Sequence, residues 1–192
     1  MLRLGVLVLL LGLSACASKP DRINDVCAVF AQNDGWTSNW QHTSNNAARK
    51  HGIPQHVLMA TIRMESGFDG RARPPRKKIF GFIPGKRAST AYGYSQALDG
   101  TWTEYQRDTG SWSARRSNFA DAVDFVGWYH GKSVRTLGIA PHDTYSLYLA
   151  YYSGHAGFAR GSWRTNSSIQ NYARQTAQMA DRYATQMQSC RR

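Results

Sequence analysis

Glu65 stands where an acid is costly. The segment "PQHVLMATIRMES" (54–66) places Val57, Leu58, Thr61 and Ile62 eight, seven, four and three residues before it. On a helix all four spacings put Glu65 on the apolar face, while Arg63 points elsewhere. Burial disfavours a carboxylate, and a place in the last helical turn sets it near the negative end of the helix dipole. Both raise its pKa toward the range a general acid requires. A helix-terminal Glu that swings out to solvent or pairs with an arginine is the alternative reading. No His/Cys/Asp/Glu cluster has metal-site spacing, no glycine-rich phosphate loop is present, and no cofactor is expected.

The elements that must position Glu65 are mostly helical. "INDVCAVFAQN" (23–33) reads as a short amphipathic helix, and "WTSNWQHTSNNAARKHG" (36–52) as a second, stopped by Gly52. Pro54 opens the third, at a position where proline is tolerated. A polar loop follows from Gly67 to Ala91, with prolines at 74, 75 and 84. Within it, "IFGFI" (79–83) forms a short hairpin or simply anchors the loop. Helical patterns resume over 95–110 and 117–138, each closing on a glycine, then over 143–154 and 168–190. "GHAGFARGSW" (154–163) reads as a glycine-rich turn. The expectation is one mainly α domain over residues 23–192.

The chain carries 24 basic and 12 acidic residues among 192, a formal net charge of +12. That balance points to an anionic partner or simply to a basic surface. Seven of the basic residues lie in "RARPPRKKIFGFIPGKR" (71–87), which has no acid. An anionic wall polymer, a lipid surface or plain solvation each account for it.

The N-terminus has one positive residue, Arg3, then an apolar run from Leu4 to Leu13 that is too short to span a bilayer as a mature helix. It ends in Leu13-Ser14-Ala15-Cys16, which resembles the lipobox of bacterial lipoproteins; an ordinary signal peptide with an incidental cysteine is the alternative. The resemblance implies a signal peptide over 1–15, lipidation of Cys16, and a tether over 16–22. Ala17 and Ser18 follow with no Asp, the pattern of an outer-membrane, periplasm-facing lipoprotein. Such export makes nucleic acid a poor partner. It leaves Cys27 and Cys190 to form a disulfide across the mature domain, or to stay as two buried thiols.

Three further stretches complete a pattern. "MESGFD" (64–69) is followed by Gly93-Tyr94-Ser95-Gln96, by Ala150-Tyr151-Tyr152-Ser153-Gly154, and by Tyr172 early in the last helix. In order and spacing, residues 53–184 resemble the soluble lytic transglycosylases of the lysozyme-like superfamily, as a divergent branch. The resemblance implies helices around a glycan-binding groove and cleavage of the MurNAc–GlcNAc β-1,4 bond of peptidoglycan to 1,6-anhydro products. Glu65 would be the single acid and then base. Ser66, Gly93, Tyr94, Ser95, Gln96, Tyr151, Tyr152 and Tyr172 would line the substrate, with Tyr151 orienting Glu65. Gly93 and Gly154 would let backbone approach the sugar. The family's Leu-Met of the second motif is Tyr94-Ser95 here, and the Asn of the third is Tyr152. The reaction is therefore expected to be kept and the glycan preference to differ. A hydrolytic muramidase on the same fold and a non-catalytic wall-binding lipoprotein are the competing readings. A monomer, tethered to the membrane by its lipid, is expected.

Overall fold

A computed structural model describes residues 19–35, 38–79 and 82–190. Cys16, the apolar run before it and the first part of the tether lie outside the described residues. The elements in order are α1 (Val26–Gln32), β1 (Asp34–Gly35), β2 (Ser38–Asn39), α2 (Trp40–His51), α3 (Gln55–Ser66), β3 (Arg76–Ile79), β4 (Ile83–Arg87), α4 (Asp99–Thr109), α5 (Phe119–Leu137), α6 (Thr144–Ser153), α7 (His155–Ala159) and α8 (Ser167–Met187). The fold is mainly helical, as the periodicity predicts.

Local chemistry sets the helix ends. The side chains of Asp25, Asn39, Asn118, Asp143 and Asn166 each accept a backbone N–H three residues on, at the starts of α1, α2, α5, α6 and α8. Each such cap contributes about 1 kcal/mol. Gly52, Gly67, Gly110 and Gly138 end α2, α3, α4 and α5 in the left-handed conformation.

Helix α3 is the axis of the core. Val57, Leu58, Met59, Ala60, Thr61 and Ile62 are all buried. The helix is therefore enveloped rather than half-wet, with α2, α5 and α8 packed around it. Helix α5 closes on α2 through Gly127, where an added Cβ would stand 2.6 Å from the His51 ring. Asp124 of α5 holds the same seam, accepting from Lys50 Nζ at 3.0 Å, pairing with His51 Nε2 at 2.8 Å, and accepting from Tyr105 Oη at 2.8 Å. Burial alone would raise the Asp124 pKa; these partners together outweigh it and hold it down at about 2.

The termini are tied to each other. Cys27 and Cys190 form a disulfide across a sequence separation of 163 residues. Gln186 accepts the Val26 N–H and donates to the Asn24 carbonyl, and the Tyr183 hydroxyl donates to the Ile23 carbonyl. The end of the expected tether belongs to this seam: Pro20 is buried, and the Asp21 N–H donates to Gln32 Oε1.

Several boundaries differ from the sequence expectation. Helix α2 starts at Trp40 rather than residue 36, because Asn39 caps it and also donates to Asp34, closing the small β1–β2 ladder. Helix α4 starts at Asp99 rather than 95, because Ser95–Ala97 are held in a turn bridged between Tyr92 and Ala97. The stretch 154–163 carries the short helix α7 before it turns. Strands β3 and β4 pair antiparallel, which is the first of the two readings left open for "IFGFI".

Candidate active site

Glu65 sits in the last turn of α3, and the chain reverses sharply behind it. Gly67 has φ 58° and Phe68 has φ 63°. A left-handed phenylalanine is strained by about 1 kcal/mol or more. The strain is offset by burial: Phe68 is 1% exposed and packs 5.8 Å from the Trp40 ring. The "GF" after "MES" therefore fixes where the helix stops and how the carboxyl is presented.

The Glu65 side chain is partly buried, and its Oε1 is sealed from solvent with no hydrogen-bond partner among the described residues. Burial pushes its pKa up to about 7, with a hydrogen-bonding interaction from Tyr148 as a smaller opposing effect. Near neutral pH the group is poised between acid and anion, with one oxygen not engaged by any described residue. Such a group gives a proton to, or takes one from, whatever enters.

The tyrosine coupled most directly to Glu65 is Tyr148 of α6. Its phenol is buried, and burial followed by the nearby Glu65 pushes its pKa far above the usual range, so it remains a neutral donor. The family resemblance implied that Tyr151 orients Glu65. The structure corrects this: the Tyr151 hydroxyl donates to the Ser95 carbonyl at 2.6 Å. Tyr151 feels the Glu65 charge but tethers the third motif to the second. The available signal for Tyr148 was its spacing, three and four residues before Tyr151 and Tyr152, on one helical face.

The second motif is a support rather than a contact surface. Tyr94 is buried edge-on to Trp40 and Phe119 at 5.5 and 5.6 Å. Ser95 is fully buried, its hydroxyl without a partner among the described residues. These positions cannot present side chains to a glycan, which corrects the expectation for both. Gln96 has φ 50°, and its amide donates to the Ala72 and Gly93 carbonyls at 3.0 and 2.8 Å. It closes the base of the loop that holds the hairpin. Gly93 has φ 74°, and an added Cβ would stand 2.1 Å from the Arg116 carbonyl oxygen, so the backbone it admits is Arg116 and not a sugar.

The remaining expected residues are at the surface or beside the site. Ser66 is partly buried, its hydroxyl donating to the Ile62 carbonyl at 3.3 Å. Tyr152 is 55% exposed and Tyr172 is 47% exposed, on α6 and on α8, which pack together. Gly154 has φ 71° with open space around it. Behind the site the fully buried His130 meets Thr61 Oγ1 at 3.0 Å through Nε2, and burial pushes its pKa down to about 3. His155 stacks on Tyr129 at 4.3 Å and meets Ser133 Oγ at 2.9 Å, a structural role.

Asp69, the acid nearest in sequence to Glu65, accepts the Arg71 N–H at 2.7 Å in the loop's first turn. Glu104 pairs with Lys132, and Asp124 is committed to the α2–α5 seam.

Comparison with known proteins gives a match to the family described as the transglycosylase SLT domain, over residues 4–190. No curated protein matches the chain.

Proposed function

Because the chain belongs to the transglycosylase SLT domain family, we propose that it is a peptidoglycan lytic transglycosylase working through Glu65 alone. The observation that carries this reading is the sealed, unpartnered Oε1 of Glu65 together with a pKa raised to about 7.

Protonated Glu65 gives its proton to the oxygen leaving C1 of the muramoyl residue, and the C1–O bond breaks. The resulting carboxylate takes the proton of the muramoyl C6 hydroxyl, whose oxygen bonds to C1. The products are a free GlcNAc hydroxyl and a 1,6-anhydromuramoyl end; Glu65 is protonated again and no water is consumed. A glycosidase with two protein carboxylates needs the second at a fixed distance across the bond. Here the positive charge at C1 is met by the substrate's own N-acetyl group. Tyr148 holds the Glu65 carboxyl in place. Tyr152 and Tyr172 offer faces for sugar stacking, and the Tyr151–Ser95 bond fixes the turn beside them.

The test is digestion of purified sacculi by the full chain and by Glu65→Gln, with mass spectrometry of the new ends. Anhydro ends from wild type alone support the proposal. Reducing ends would assign a hydrolytic muramidase, and equal action of the two chains would assign a binding protein. We further propose a periplasmic, outer-membrane lipoprotein anchored through Cys16 and acting as a monomer. Incorporation of labelled fatty acid that persists in Cys16→Ser would overturn the anchor.

A further inference from the structure

We propose that the β3–β4 hairpin is a docking element for an anionic phospholipid surface, separate from the catalytic chemistry. The hairpin carries one sign of charge. From residue 70 to residue 98 there is no Asp or Glu, against seven Lys and Arg. Arg76, Lys78 and Lys86 are exposed along its two strands. It is a built element rather than a loose loop: Arg76 donates across it to the Gly85 carbonyl at 3.2 Å, and Arg87 donates to the Pro74 carbonyl. At its tip Phe82 is 77% exposed, the most exposed of the large apolar side chains described. The strand residues that meet the turn are Ile79 and Ile83, paired in register.

A basic stem with an apolar tip distinguishes between anionic partners. Carboxylates of a wall polymer would satisfy the stem but give Phe82 no apolar phase. A bilayer with anionic headgroups takes both: charge at the headgroups, and the ring at the acyl boundary. Position agrees. Lys19, where the described chain begins, lies against Gly67 at the root of the hairpin loop; an added Cβ there would stand 3.4 Å from its Nζ. On the lipoprotein reading proposed above, Cys16, three residues before Lys19, carries the lipid. The described chain thus begins on the side where the hairpin loop starts.

Lysine acylation on vesicles tests this, using the full chain. Acylation of Lys78 and Lys86, followed by mass spectrometry, is compared on phosphatidylglycerol-containing and pure phosphatidylcholine vesicles, with Lys50 of the α2–α5 seam as the internal reference. Because an N-terminal lipid or an unprocessed leader can bind either vesicle, the hairpin is read separately from total binding. The expected result is slowing by about fivefold or more on the anionic vesicles only, with Lys50 unchanged. The slowing is reduced by salt and lost in Phe82→Asp, which remains folded by circular dichroism. Equal rates on the two vesicles would overturn the proposal. So would protection by purified sacculi without protection by anionic vesicles, or undiminished protection in Phe82→Asp. Glu65→Gln should leave the protection intact, so the result stands apart from the catalytic reading.

Discussion

The cost of keeping Glu65 is measurable in the folded protein itself. A pKa raised from 4.5 to about 7 means that the folded state holds a proton the unfolded chain has lost. For an acid with a raised pKa, stability is undiminished below the unfolded value and falls as pH rises between the two values. The difference amounts to roughly 3 kcal/mol above pH 7. Urea unfolding across pH 4 to 8 should therefore show Glu65→Gln gaining on wild type by about that amount, while its cleavage activity falls by about 10²-fold or more. An unchanged stability difference across that range would refute the buried acid. Tyr148→Phe gives the complementary result. Tyr148 lowers the Glu65 pKa, so its hydroxyl's removal should move the basic limb of kcat/KM to higher pH and reduce the maximum rate. Tyr151→Phe should instead loosen the Ser95 turn without moving that limb. Glu65 was legible because a lone acid on an apolar face violates the period of its helix. Tyr148 was not, because three tyrosines within five residues offer equivalent faces, and only the packing of α6 against α5 and α8 selects among them.

At the scale of elements, the turn after α3 and the turn before α4 hold the carboxyl where it is. Phe68→Ala should cost about 3 to 5 kcal/mol in denaturant unfolding, because it removes a buried ring while leaving a left-handed residue behind. Gly93→Ala should cost more than a helix-surface change, since the new methyl meets the Arg116 carbonyl. The helices were readable from apolar spacing, asparagine and aspartate caps and closing glycines. Their starts near residues 36 and 95 were misplaced for one shared reason. In both places a polar side chain bonds across a turn, Asn39 to Asp34 and Gln96 to Ala72 and Gly93, and these bonds outcompete a further helical turn. The burial of Tyr94 and Ser95 was equally hidden, because a motif four residues long has no period from which to tell inside from outside.

For the molecule as a whole, one covalent link joins the first helix to the residues after the last. Closing 163 residues restricts the unfolded chain by about 5 kcal/mol in the loop-entropy account. Reduction, or Cys27→Ser with Cys190→Ser, should lower stability by up to that amount in guanidinium unfolding. It should spare the catalytic rate of molecules that remain folded, since Glu65 lies in the last turn of α3, beside Tyr148, whereas the disulfide joins α1 to the residues after α8. The acidic limb of stability should survive reduction, because Asp124, held at about 2, loses its partners only as pH falls below about 4.

The most direct measurement is a carbon-13 NMR titration of the Glu65 carboxyl in the folded protein, with Glu65→Gln identifying the resonance. A midpoint near pH 7 is the expected result. A midpoint in the ordinary range near 4.5, with the group ionised throughout neutral pH, would contradict the single acid on which the proposed cleavage depends.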